Sequence, residues 1–187
     1  MIDKIQVKVF VRDDVPVEGY VRVFQRWIRD RVLDELMIDV VDYSHVADGP
    51  HVVLIGHAVD YALDRARGKL GLLFSHKRGP KPDGLAGALE RAFAAALLLE
   101  AEPGVEHPLK FRSDALLLRV NDRLAAPNND STYERLLPAL KRDLERLYGP
   151  GRFETRRIGG PRELFAVEVR AEGASPLAEL AQRLKVS

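Results

Sequence analysis

Two histidines bracket an apolar run in His51-Val-Val-Leu-Ile-Gly-His57, and Asp60 and Tyr61 follow close behind. Imidazoles titrate near neutral pH and ligate divalent metals, so this cluster raises acid–base or metal chemistry. In an extended chain His51 and His57 point to the same face but stand about 20 Å apart, at roughly 3.3 Å per residue. They cannot share one ion. Val53 and Ile55 lie between them, with Val52 and Leu54 on the opposite face, which is the pattern of a covered, central strand.

A hairpin offers His57 a different partner. If the strand continues to Leu63 and the next runs from Leu70 to Ser75, the intervening segment Asp64–Lys69 is the turn. Pairing Asp64 with Lys69 opposes Leu63 to Leu70, Tyr61 to Leu72, Val59 to Phe74 and His57 to His76, with the apolar side chains on one face. Directly opposed residues have Cβ atoms about 5 Å apart, so this register predicts that His57 meets His76.

Such a pair can pass a proton, assisted by Asp60 or Tyr61, or hold a metal once a carboxylate joins it. Asp42, His45 and Asp60 are the candidates to complete it, and Asp60 needs a break at Gly56 to reach the same side. No His-Glu-x-x-His pattern accompanies the pair. Histidines at hairpin ends commonly stack or bond to backbone, and that structural role outweighs the catalytic one.

Other chemical signals are weaker. The polar stretch from Asn121 to Ser131 supplies Asn121 and Arg123 as contacts for a polar ligand, and offers Asp130 or Ser131 as a helix N-cap. Asp13 and Asp14 are explained by a turn before a helix. The chain has no Gly-x-Ser-x-Gly, Walker or dinucleotide-binding glycine pattern, and no cofactor is indicated. Basic clusters at His76-Lys77-Arg78 with Lys81, and at Arg152, Arg156 and Arg157, lack interleaved aromatic residues, so nucleic acid ranks below a small ligand or a protein partner.

The elements that position these residues follow from periodicity. Residues 4–12 alternate as a strand, 17–37 recur at helical spacing, and Ile38–Val41 make a short strand. A polar linker after His76 leads to an alanine-rich helix over 85–100, with Asp83 as its candidate N-cap. A strand ending at Leu116–Val120, a helix over 131–148 containing Pro138, a hairpin of 153–158 with 164–171, and a helix over 176–184 complete the chain. A shift of 109 residues lays Val11-Arg12-Asp13 over Val120-Asn121-Asp122, so an internal repeat relating 1–104 to 109–187 is a candidate.

At 187 residues, 46% hydrophobic and 30% charged, the chain suits one compact domain that buries a sizeable core. A net charge of +1 favours no partner in bulk. The absence of cysteine excludes disulfides and thiolate chemistry and leaves the cytoplasm as the simple default. No segment reads as a signal peptide or a membrane span, since the most apolar stretch is interrupted by Glu90 and Arg91.

The sequence therefore predicts an α+β fold of two similar strand-helix-hairpin-helix halves, with a mainly antiparallel sheet and helices on one face. The function that fits is noncatalytic binding of a small polar ligand or a protein partner, with His57, Tyr61, His76, Asn121 and Arg123 as ligand contacts. A homodimer formed through a sheet edge is the expected assembly if the chain self-associates. The competing reading is a metal- or histidine-assisted hydrolase or proton-transfer enzyme using His57 and His76.

Overall fold

The computed structural model describes residues 4–78 and 84–185. The linker residues 79–83, with the Asp83 cap and Lys81, lie outside them. Eight strands form one antiparallel sheet: β1 (Ile5–Val11), β2 (Met37–Asp42), β3 (Pro50–Gly56), β4 (Val59–Asp64), β5 (Gly71–His76), β6 (Phe111–Val120), β7 (Phe153–Ile158) and β8 (Phe165–Ala171). Their order is β2-β3-β4-β5-β1-β6-β8-β7, so β5 and β1 pair at the centre and β2 and β7 are the edges. The α+β class with a mainly antiparallel sheet is as the sequence predicts.

Strand alternation sorts the side chains. Val7 and Val9 of β1 share a face with Leu72 and Phe74 of β5, Leu116 and Leu118 of β6, and Val167 and Val169 of β8. All are buried. Among the described residues four helices cover this side: α1 (Tyr20–Asp30), α2 (Gly84–Glu100), α3 (Asp130–Tyr148) and α4 (Leu177–Lys185). Helix α2 packs on β1, β5 and α4, and its row of small and apolar residues, Ala88, Leu89, Ala92, Phe93 and Ala96, is fully buried.

Four local expectations change. The helix predicted over 17–37 stops at Asp30, because Arg31 takes a left-handed conformation (φ 50°) that closes it. Val32 and Leu36 then leave the helical face and are exposed, Leu36 to 69%. The strand predicted from His51 to Leu63 is two strands, turning at His57-Ala58, where the Asp60 carboxylate accepts a hydrogen bond from the Gly56 amide at 3.1 Å. The N-cap of α3 is Asn129, whose side chain accepts from the Thr132 amide at 2.9 Å, and the helix passes through Pro138 without ending.

The fourth change bears on the site. Strands β4 and β5 pair Asp64 with Gly71, Tyr61 with Phe74 and Val59 with His76. The turn between them holds two residues more than the sequence register allowed, with a 3-10 segment at Ala66–Gly68 in which Arg67 and Gly68 adopt positive φ. A shift of two keeps every side chain on its predicted face while moving His76 away from His57.

Candidate functional site

The face of the sheet opposite the helices carries the buried charges. Lys8, at the middle of β1, is 1% exposed, and its ammonium donates to Asp64 of β4 at 2.6 Å. Strand β5 lies between them, and Gly71 is the residue crossed. A Cβ on Gly71 would stand 2.9 Å from Lys8 Cε and 2.6 Å from the Val9 carbonyl oxygen, so the lysine can lie flat across the sheet only because no side chain is there. Burial lowers the Lys8 pKa, and the Asp64 carboxylate opposes that shift.

Arg119 of β6 sits one cross-strand row further on, opposite Gln6 of β1, which pairs in turn with Ser75 of β5. Its pKa is lowered, first by burial and also by Arg67, with Asp64 acting in the opposite direction. The Gln6 amide nitrogen donates to the Ser75 hydroxyl at 3.0 Å. Gln6 Oε1 and Arg119 Nε, a buried acceptor and a buried donor on facing residues, both lack a partner. The tip of the β4–β5 turn reaches the β7–β8 turn through an ion pair of Arg67 with Glu163.

A cleft of about 300 Å³ opens on this face beyond Lys8, where the ends of β1, β6 and β8 meet the β4–β5 turn. Phe10, Ala115 and Leu70 give it apolar walls, and the Nζ atoms of Lys8 and Lys69 lie 5.6 and 5.9 Å from the Phe10 ring centroid. Arg12, Lys69, Arg112 and Arg170 line it, against the acids Asp14 and Glu168. Glu168 accepts from Arg156 at 2.8 Å and from Lys69 at 3.4 Å, and these contacts hold its carboxyl below the usual range, the Arg156 bond most strongly. Arg112 grips Asp114 outside the cleft with two bonds of 2.9 and 2.7 Å.

The residues singled out in the sequence are dispersed. His57 is exposed at the β3–β4 turn, and its amide donates to the Leu36 carbonyl at 2.9 Å. His76 is buried at the end of β5 opposite Val59, with Nε2 unpartnered, so the predicted cross-strand meeting with His57 does not form. His51 is also buried, and its Nε2 too is unpartnered. Asp60 forms an ion pair with Lys77 at 2.7 Å. Tyr61 is buried on the helix side, donates to Glu35 at 3.1 Å, and has its pKa raised, chiefly by burial and then by the Glu35 charge.

Asp42 is exposed and accepts from Ser44, whose hydrogen bonds lower its pKa, while the exposed His45 ring lies 6.4 Å from that of Tyr43. Among the described residues no group of three or more His, Asp or Glu is arranged to hold a metal ion. Asn121 and Arg123 border the helix-free face just beyond Arg119, and Arg123 donates to the Arg162 carbonyl, next to Glu163.

Sequence reasoning missed Lys8, Asp64 and Arg119. A signal was present, since Lys8 and Arg119 interrupt apolar strands at inner positions, but on a sheet of unknown strand order such residues read as solvated. No protein-family model and no curated protein matches the chain. What fold and site define is an α+β protein with a one-sided helical layer and a polar, cleft-bearing sheet face. No helix among the described residues is long and apolar enough to cross a membrane.

Proposed function

We propose that this protein is a noncatalytic binding protein for a small polar ligand, and that the ligand occupies the cleft at the end of the helix-free face. The observation that supports this is the cleft itself, a concavity of about 300 Å³ with Phe10 in its wall and several convergent charged groups. That size falls at the lower end for ligand sites, which typically combine apolar walls with a few fixed polar groups. The buried Lys8–Asp64 pair behind it ties β1 to β4 across β5, and the strands carry Phe10, Ala115, Glu168 and Arg170 of the lining while Arg12, Asp14 and Lys69 come from the adjoining turns.

Calorimetry with a panel of small metabolite classes, together with mass spectrometry of the purified protein for a retained small molecule, tests the reading. Saturable binding that Phe10→Ala abolishes is the expected result. Stoichiometric transition metal lost on His57→Ala, or a turnover dependent on His57 and His76, would overturn it in favour of a histidine-assisted hydrolase or proton-transfer enzyme.

A second reading has its own observation. Leu36, just before edge strand β2, and Ile38 within it are 69% and 57% exposed. A second copy paired about a twofold axis would lay this apolar strip on itself and cover the free strand edge. Light scattering at rising concentration tests it, with Ile38→Lys expected to hold the protein as a monomer.

The two halves are also proposed to be an ancestral duplication. The supporting feature is their neighbour order: β1-β5-β4 in the first half and β6-β8-β7 in the second, each followed by a helix, with the β2–β3 pair inserted in the first.

A further inference from the structure

We propose that the ligand of the cleft is an anion, a carboxylate or phosphoryl group carried on a small apolar body; this deepens the reading that the cleft binds a small polar molecule and rests on it. Four cations line the cleft against two acids. Asp14 is paired with Arg65, and Glu168 is shared by Arg156 and Lys69. Neither acid is left to neutralise Arg12 or Arg170.

Arg12 lies within electrostatic reach of Asp114, but that carboxylate already receives both bonds of Arg112. Arg170 stands on β8 between Glu154 of β7 and Ala115 of β6, and the small Ala115 leaves it open on the cleft side. Two arginines thus line a concave site with no carboxylate among the described residues bonded to either, and planar, forked donors of this kind match the paired oxygens of a carboxylate or phosphate. Deeper in the same face Lys8 and Arg119 stand against Asp64 and Asp48, and Arg67 is paired with Glu163, so the attraction for an anion comes from the cations of the cleft itself. Phe10, flanked by two ammonium groups, is where the apolar body of such a ligand would rest.

The test uses inorganic phosphate and benzoate as probes in calorimetry at constant ionic strength, with the full chain and the variants Arg12→Gln, Arg170→Gln, Arg119→Gln and Phe10→Ala. Arg12 and Arg170 are exposed, so their variants should fold, which circular dichroism checks. The expected result is that both probes bind, and that Arg12→Gln and Arg170→Gln each weaken both by about tenfold or more, the loss of one charge-assisted hydrogen bond. Phe10→Ala should weaken benzoate and spare phosphate.

Anion affinity that depends only on Arg119 would overturn the inference by placing the site elsewhere. A neutral ligand lost on Phe10→Ala but indifferent to Arg12 and Arg170 would overturn the anion and leave the cleft standing. A protein to which no member of the panel binds in a Phe10-dependent way would overturn both.

Discussion

Replacing Asp64 by asparagine should cost the protein more than any surface substitution. At 2.6 Å the Lys8 and Asp64 charges attract by about 6 kcal/mol if the effective dielectric constant is about 20. Desolvation of both ions offsets much of this, but removing one partner leaves the other buried and unpaired, which costs about 3–5 kcal/mol. With Lys8 1% and Asp64 2% exposed, neither can swing into water without opening the sheet. Lys8→Met with Asp64→Leu removes both charges and should recover most of the loss, so a cycle of Lys8→Met, Asp64→Leu and their combination in urea should show strong coupling.

The same variant has a pH signature. Burial places the folded pKa of Lys8 below its ordinary 10.5, so between the two values the unfolded chain binds more protons and stability rises with pH. Asp64→Asn removes the carboxylate that opposes this lowering. Its rise should therefore begin at lower pH than in the natural sequence, and Lys8→Met should abolish it. A loss under about 1 kcal/mol, with coupling near zero and no difference in pH slope, is what a solvated surface pair gives and would refute the reasoning.

Gly71→Ala should destabilise by about 1–3 kcal/mol, because the new methyl meets a backbone oxygen as well as the Lys8 chain; urea denaturation in the Lys8→Met background should recover only part of it. Asn129→Ala should cost about 1 kcal/mol through the lost cap of α3, while Asn129→Asp should be near neutral, both read from thermal midpoints. Tyr61, with its pKa raised by burial, should stay un-ionised in ultraviolet difference titration until the fold opens. Because its folded pKa lies above the unfolded 10.0, stability falls as pH rises past that value, and Tyr61→Phe should lessen the fall.

Several elements were legible because their signals are local. The alternation of Ile5, Val7, Val9 and Val11 requires only neighbouring residues to declare a strand and its apolar face, but it does not show that Gln6 and Lys8 on the other face are buried as well. The small-residue helix over 84–100 and the 153–171 hairpin are of the same kind. Helix α1 was read too long because Arg31 ends it in a conformation that sequence assigns to glycine or asparagine.

The histidine pair failed for a physical reason. Side chains alternate with a period of two, so registers that differ by two residues satisfy the apolar pattern of β4 and β5 equally well. The sequence by itself determined most of the strands, the alternation of faces along them and the absence of cysteine, but it ran β3 and β4 together. Only tertiary structure chose among registers, through the longer turn at Arg65–Leu70, and only it placed β1 between β5 and β6. That placement brings Lys8 across Gly71 to Asp64, and Arg119 beside Gln6, over separations of 56 and 113 residues. Charges this far apart in the chain become neighbours only when strand order is fixed, and strand order is decided by how helices and sheet bury their apolar faces together.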